Sequence, residues 1–266
     1  MPRLSVVAPA ILVGVPVPEA RNPYIAVPVA RIIYNIRLGR CDRPSLVLDE
    51  RLSRLKEPLE GFWANISEGF DARYCPEVGV EGLIGDPGPS GLYSSLTMAL
   101  LHALAREYGD VLEEDELLEY TRLADPFAYN DYPGWEVVLD ALRYSVATGS
   151  VVAFRDEMEH AKLLGEGART IYSGSTRAAG PRLTRSSLSG ELYSALIKLA
   201  GLQALEAAIA LREGSSVNDI VERFTPLQEG LALAIWGVRA LEHCVPAPSL
   251  PGYFEFHCIG GEGGRA

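Results

Sequence analysis

The chain has 266 residues, of which 48% are hydrophobic and 22% charged, and its formal net charge is −11. A chain of this length and composition can bury the core of one large or two small domains, so a disordered protein is excluded. The acidic balance argues against nucleic acid as the main partner, because a phosphate backbone needs a basic surface, whereas a nucleotide needs only one local electropositive pocket.

The first 84 residues predict mainly β-strands. Residues 3–18 are rich in β-branched side chains and are interrupted by prolines, and residues 25–37 predict a second strand or a strand pair. A charged helical stretch covers residues 52–66, and residues 78–84 predict the strand that follows it. Between the first two strands, polar side chains are candidates for contact with a substrate, and a simple turn explains them equally well. These candidates are Glu19, Arg21 and Asn22.

The segment 85–105 organises the rest of the chain. It begins with a cluster of glycines and prolines, passes through Ser94 and Ser95, and continues with apolar residues at the three- and four-residue spacing of an amphipathic helix. Glycines allow close approach of a ligand, and the free N–H groups at a helix start favour an anion such as phosphate. A serine-capped loop would give the same pattern. No Gly-Lys-Ser/Thr follows, so this is not a Walker loop.

Residues 89–95, Pro-Ser-Gly-Leu-Tyr-Ser-Ser, resemble the phosphate loop of the GHMP kinases, the family of galactokinase, homoserine kinase, mevalonate kinase and phosphomevalonate kinase. The family motif is a proline, a few small residues and Gly-Leu-Gly-Ser-Ser-Ala before a helix. Tyr93 stands where the family has a glycine against the nucleotide phosphates. Its ring could turn away, onto the opening strands or the adenine, and leave the backbone N–H groups free for phosphate, or it could fill the phosphate site. We expect the first. The resemblance implies that ATP contacts Pro89, Ser90, Gly91, Leu92, Tyr93, Ser94 and Ser95.

Two aspartates downstream are candidate site residues. Residues 110–119 predict an acidic, solvated helix, residues 130–134 a turn, and residues 135–147 a helix that ends before Gly149 and a strand. In the family a catalytic aspartate lies in such a setting, which makes Asp140 the implied catalytic residue. Asp131 lies roughly where the family has an acidic magnesium ligand, and Ser95 would be the second ligand of Mg²⁺. A solvated helix carboxylate and a turn cap explain the two aspartates as well.

The second half contains two further glycine segments. Residues 169–185 resemble the Tyr-Thr-Gly-x-Thr-Arg segment of the sugar kinases in this superfamily, which implies that Thr176 and Arg177 contact the substrate. A guanidinium can bind phosphate or carboxylate through two hydrogen bonds, and surface arginines in a loop are the other explanation. Helices are predicted for residues 188–212 and 217–244, and a strand for 252–259.

The chain ends in a segment that resembles the third motif of the family, Lys-x-x-Gly-Ala-Gly-x-Gly-Gly, a loop beside the nucleotide. His257 takes the position of the lysine and Glu262 that of a glycine. A polar tail is the alternative explanation. The resemblance implies that the nucleotide-binding residues of this segment are Gly260, Gly261 and Gly263.

The order of these segments implies an α+β, two-domain GHMP kinase-like fold. Residues 1–160 would resemble ribosomal protein S5 domain 2, residues 161–266 would form a ferredoxin-like α/β domain, and the site would lie in the cleft between them. The implied function is an ATP-dependent kinase, with ATP and Mg²⁺ as cofactors, that phosphorylates a hydroxyl of a sugar or mevalonate-type metabolite. The alternative is a catalytically inactive homologue that binds or assembles with a partner.

Location and partners follow from the absence of targeting signals. The N-terminus makes a poor signal peptide, and no apolar run is expected to span a bilayer, so a cytoplasmic protein is predicted. The expected partner is a small-molecule substrate, without nucleic acid or membrane, and a homodimer is left open. The four cysteines form no CxxC pair, which favours reduced structural thiols. They are Cys41, Cys75, Cys244 and Cys258.

Overall fold

The computed structural model of the chain describes residues 3–71, 73–109, 111–127, 132, 134–156, 159–163, 170–183, 187–241 and 244–259. The strands are β1 (Arg3–Val13), β2 (Tyr24–Arg40), β3 (Val47–Leu48), β4 (Tyr74–Ile84), β5 (Val151–Asp156), β6 (Glu159–Leu163), β7 (Thr170–Arg177), β8 (Cys244–Pro248) and β9 (Tyr253–Ile259). The helices are α1 (Lys56–Gly69), α2 (Pro89–Glu107), α3 (Glu114–Ala124), α4 (Glu136–Thr148), α5 (Gly190–Arg212) and α6 (Val217–Leu231). A 3₁₀ helix, Glu50–Leu55, precedes α1, and a π-helical turn, Ala232–Trp236, follows α6.

The long strand β2 is the centre of a six-stranded sheet. Its residues from Ile25 to Asn35 pair with β1 along one edge, while the other edge pairs first with β5 and then with β4. The strand order is β3-β4-β2-β5-β6, with β1 on the far side of β2. The predicted domain boundary at residue 160 falls inside β6, so the first sheet extends to Leu163.

Helices cover both faces of this sheet. Alternate residues of β1 and β2 point to opposite sides, so both faces carry apolar side chains that the helices bury. Ile11 and Ala26 belong to the core beneath α2 and α4, whereas Leu12 and Val27 pack in a second core beneath α5 and α6. Helix α2 is the most deeply placed element, and its side chains are buried almost all round. Because α2 is buried on nearly all sides, its N-terminus is held in one place against the rest of the protein.

A second, three-stranded antiparallel sheet has the order β7-β9-β8. It is joined to the first half through shared aromatic and polar contacts. The ring of Trp135 lies 4.5 Å from Trp236 and 5.6 Å from Phe254, and the Trp236 indole N–H donates to the carbonyl of Pro16 at 2.6 Å. The predicted α+β fold is confirmed, and β9 is brought against the start of α2.

The cysteines are paired, and the expectation of reduced thiols is wrong. Disulfides join Cys41 to Cys75 and Cys244 to Cys258. The first pair lies where the ends of β2 and β4 run side by side, and the second stands directly opposite across β8 and β9. Spacing along the chain did not reveal either pair, because strand register decides which residues face each other.

The length and composition of helix α5 contradict the expectation that no apolar run could span a bilayer. Among the described residues it is the one helix whose length and composition meet that condition, with a mean hydropathy of 1.5 over an 18-residue window that is 28% buried. Buried helices of globular proteins can meet the same condition. One face of α5 packs on the six-stranded sheet through Ala200, Ala204 and Ala207, and its opposite face carries exposed leucines.

Candidate functional site

Helix α2 begins earlier than the sequence predicts. Gly88 is its N-cap and Pro89 its first residue, so the segment expected to form a loop is already helical. Proline suits the first helical position, because its fixed φ matches the helix and it has no N–H to satisfy. The N–H of Leu92 donates to the carbonyl of Gly88 at 3.0 Å, and the following N–H groups lie within the helix. They are therefore committed to the backbone of α2.

A carboxylate from the second sheet occupies the N-terminus of α2. Glu255 on β9 accepts a hydrogen bond from the N–H of Ser90 at 2.7 Å and another from the Ser249 hydroxyl through the same Oε1 atom. Its Oε2 lies 3.1 Å from Nε2 of His257. Glu255, His257 and Ser90 are completely buried, and a Cβ on Gly88 would clash with the carboxylate. The negative group thus lies at the positive end of the helix dipole.

The hydrogen bonds at this carboxylate determine its charge. Burial by itself raises the pKa of a carboxyl group, but bonds from His257, Ser249 and the Ser90 N–H, with the charge of His257, outweigh burial and hold the pKa of Glu255 below its usual value. Glu255 is therefore an anion at neutral pH. It gives the start of α2 the type of partner that a phosphate would otherwise provide.

The serines of α2 lie in the core. The hydroxyl of Ser95 donates to the carbonyl of Leu92 at 3.1 Å and lies 2.9 Å from the Tyr34 hydroxyl. The hydroxyls of Ser90 and Ser94 are buried and find no hydrogen-bond partner in the part of the chain that the structure describes. All three side chains are completely enclosed, and that of Ser95 faces β2.

Tyr93 is completely buried, with its ring turned away from the helix start as expected, but the Ser90 N–H is bonded to Glu255 and so is not free for phosphate. The aromatic partners of Tyr93 come from α1 and from the segment after α3. The ring packs edge-on against Phe127 and Phe62, at centroid distances of 5.3 and 6.4 Å. Its hydroxyl donates to Oδ1 of Asp125 at 2.9 Å, and the Arg143 guanidinium lies 5.7 Å from the ring centroid. Burial and the Asp125 charge raise the pKa of the Tyr93 hydroxyl.

Solved structures of metabolic enzymes superpose on this arrangement along nearly the whole chain. Mevalonate kinase from methicillin-resistant Staphylococcus aureus MRSA252 is 14% identical with a TM-score of 0.56, over 97% of this chain and 90% of that chain. L. major mevalonate kinase in complex with R-mevalonate is 11% identical with a TM-score of 0.59, over 98% and 88%. Streptococcus pneumoniae phosphomevalonate kinase in complex with phosphomevalonate and AMPPNP is 10% identical with a TM-score of 0.55, over 98% and 93%. The chain has the GHMP kinase fold.

Sequence comparison alone does not reach this result. No protein-family model matches the chain, and no curated protein does. The GHMP kinase fold is thus shared at 10–14% sequence identity, which by itself assigns no role to an individual residue of this chain. Each residue that the resemblance implied must be judged on where this chain places it.

The start of α2 in this GHMP kinase fold does not fit the phosphates of a nucleotide. Pro89 has no N–H, the Ser90 N–H is already donated to Glu255, and a triphosphate would be repelled by that carboxylate. The hydroxyl of Ser95, implied as a magnesium ligand, is used inside the core. The described residues contain no group of three or more acidic, histidine or cysteine side chains suited to a metal ion.

Asp140 lies on α4 with 4% of its surface exposed, and its Oδ2 forms an ion pair with Nε of Arg122 on α3 at 3.3 Å. It is not among the residues that line the cavity of about 500 Å³ beside the start of α2. Its role as a catalytic residue stays a prediction, and the contact with Arg122 shows a structural use for its charge. Four other predicted site residues, namely Asp131, Gly260, Gly261 and Gly263, lie outside the described residues.

A cavity of about 500 Å³ opens beside the start of α2, in the cleft between the two halves. Its lining includes Pro89, Ser175, Ser249 and Tyr253. Arg177, the last residue of β7, forms a side-chain hydrogen bond with Tyr132, which lies in the segment between α3 and α4. Thr176 pairs with Phe254 of β9 in the same sheet.

The remaining substrate candidates are in a different place. Arg21 and Asn22 line a separate cavity beside α5, and no lining residue is shared with the cleft at α2. Glu19 is exposed in the turn before them, with a positive φ of 63°. Among the described residues, the structure therefore does not bring the predicted nucleotide and substrate residues together around one cavity.

Gly91 has a packing role in α2. A Cβ at this position would lie 2.5 Å from the carbonyl oxygen of Pro9, because helix and strand approach closely there. Gly91→Ala is expected to lower the free energy of unfolding by about 1–3 kcal/mol, measured by urea denaturation. Gly230→Ala is the control, since nothing lies within 4 Å of its Cβ position, and it should gain up to about 1 kcal/mol. Equal stabilities of the two variants would contradict this role.

Proposed function

We propose that this chain is a GHMP-fold protein that acts by binding or assembly, without phosphoryl transfer, and that its own Glu255 closes the phosphate-binding end of α2. The observation that carries this proposal is the 2.7 Å hydrogen bond from the Ser90 N–H to the buried Glu255 carboxylate. This carboxylate supplies the negative charge that the helix dipole favours.

Displacing the Glu255 carboxylate from the start of α2 would cost binding free energy, which supports the proposal. A nucleotide would have to displace Glu255 from Ser90, Ser249 and His257 at once. The freed carboxylate would then need new partners beside a triphosphate of the same sign. Breaking a buried ion pair commonly costs about 3–5 kcal/mol, or a factor of more than a hundred in affinity.

A second candidate is the ATP-dependent kinase that the resemblance implied, acting on a hydroxyl of a sugar or mevalonate-type metabolite. The shared fold favours it, as does the AMPPNP complex of the S. pneumoniae phosphomevalonate kinase. For this chain, ATP as cofactor would require Glu255 to leave the start of α2, and Mg²⁺ would require Ser95 to leave the core. The position of both residues is why we rank this candidate second.

Calorimetry separates the two candidates. We expect no binding heat when Mg-ATP is titrated to about 1 mM into the intact chain, and no ADP formation with mevalonate, phosphomevalonate or hexoses. Glu255→Ala should create a site for pyrophosphate if the variant folds, because it frees the Ser90 N–H. Micromolar Mg-ATP binding by the unaltered chain, with turnover of any of these alcohols, would establish the kinase and overturn our proposal.

Other expectations from the sequence stay predictions. They concern the cytoplasm as location, a small-molecule partner and the homodimer that was left open. The two disulfides are unusual for most cytosolic proteins, although intracellular proteins of hyperthermophiles are a documented exception. Sedimentation velocity of the purified chain measures the oligomeric state directly.

A further inference from the structure

A groove of about 770 Å³ lies between α5 and the sheet edge formed by β5 and β6. Along α5 its lining extends from Ile197 to Ala208, a rise of about 16 Å at 1.5 Å per residue. Leu202 and Leu205 line it and are 53% and 54% exposed. The volume falls within the range of small-molecule sites, and the apolar length suits an extended hydrocarbon chain.

Positive charge gathers at this groove although the chain as a whole is acidic. Arg21 comes from the turn between β1 and β2, Arg155 from β5 and Lys198 from α5, so three separate elements each supply a cation. None of the described residues that line the groove is acidic. Arg21 and Arg155 make further interactions within the chain, but a guanidinium has five N–H donors, so both can add a hydrogen bond to an anionic ligand.

A buried amide provides a second, independent indication. Asn22 lines the groove with only 2% of its surface exposed. Its side-chain nitrogen has no hydrogen-bond acceptor among the residues that the structure describes. A buried donor without an acceptor is costly, and an anionic head group bound beside Arg21 would supply the missing oxygen.

We propose that this groove binds a free single-chain amphiphile whose hydrocarbon chain lies along α5 and whose phosphate head group meets Arg21, Arg155 and Lys198. Three cations suit a doubly charged phosphate better than a carboxylate. This inference does not rest on the closure of α2 by Glu255, because the groove and that position share no residues.

The test is calorimetric titration of the full chain with decyl phosphate below its micelle concentration. Decyl phosphate should bind one to one, whereas inorganic phosphate, which lacks the chain, and decanol, which lacks the charge, should each bind at least about tenfold more weakly. Decanoate should fall between them.

Two variants locate the binding. Gly201→Leu places an apolar side chain in the groove, and its Cβ meets only Pro23 Cδ at 3.8 Å, an ordinary contact. It should weaken decyl phosphate binding at least about tenfold, while the matched exchange Gly230→Leu on α6, in open space, should leave it unchanged. Lys198→Met removes an exposed charge outside the core and should weaken binding by about fivefold. Circular dichroism monitors the fold of each variant.

Several results would overturn the proposal. One is no binding of decyl phosphate at about 1 mM, and another is equal affinity in Gly201→Leu and Gly230→Leu. A dimer in sedimentation velocity that Gly201→Leu dissociates, without decyl phosphate binding, would identify the groove as an interface between copies. Binding to phosphatidylglycerol vesicles but not to free decyl phosphate would assign it to a membrane surface.

Discussion

Replacing Asp125 by alanine is expected to lower the free energy of unfolding by about 3–5 kcal/mol, because it removes the partner of a buried cation. The Arg143 guanidinium donates to both oxygens of Asp125, at 2.8 and 2.6 Å, and the two side chains are 0% and 1% exposed. The hydroxyl of Tyr93 donates to the same carboxylate. All three groups lie between α2, α3 and α4, so the loss would affect the packing of the whole helical layer.

Urea denaturation of Asp125→Ala measures this loss, and an exposed pair supplies the control. Glu206 and Arg223 are 3.4 Å apart and more than half exposed, so Glu206→Ala should change stability by less than about 1 kcal/mol. The double variant Asp125→Leu with Arg143→Met should recover much of the loss, since it leaves no unpaired charge. A loss below about 1 kcal/mol in Asp125→Ala would show that the ion pair is not essential.

Glu255→Ala is the second change with a large expected effect, also about 3–5 kcal/mol of unfolding free energy. It leaves His257 buried without its carboxylate and the N-terminus of α2 without an anion. Alanine at the exposed Glu222 of α6 serves as a control, with an expected change within about 0.5 kcal/mol. Thermal and urea unfolding of both variants measure the difference, and equal stabilities would contradict the role of Glu255.

The pH dependence of stability tests the charge of Glu255 directly. Its pKa in the folded protein lies below the usual 4.5, so the unfolded chain takes up this proton at a higher pH than the folded chain. The stabilisation by Glu255 is therefore complete above about pH 4.5 and is lost as the pH falls through the lower folded value. Glu255→Gln should show a smaller acid loss than the unaltered chain. An identical profile would mean that another group controls it.

Much of the fold follows from local sequence patterns. The alternating β-branched residues of β1 and β2 predict strands, and the alanine- and leucine-rich run of α5 predicts a helix. The start of α2 was misjudged because Gly88, Pro89 and Gly91 are residues of turns, whereas here the proline begins the helix and Gly91 allows close packing on β1. Local composition does not distinguish these uses of glycine and proline.

The site could be predicted only in outline, because its decisive contact joins distant parts of the chain. Ser90 and Glu255 are 165 residues apart, and no local pattern indicates that they meet. A partial signal existed, since Glu255 and His257 are polar residues on the same face of an otherwise apolar strand. Asp125 and Arg143 were missed for the same reason, as their pairing depends on how α3 and α4 pack.

The carboxylate at the start of α2 also changes how the protein depends on its surroundings. A protein that takes an anion from solution is stabilised by mass action, with about 1.4 kcal/mol for each tenfold rise in ligand concentration above the dissociation constant. Glu255 is covalently part of the chain, so its supply never varies and dilution cannot remove it. The melting temperature set by this contact is accordingly expected to be the same in nucleotide-rich and nucleotide-free solution.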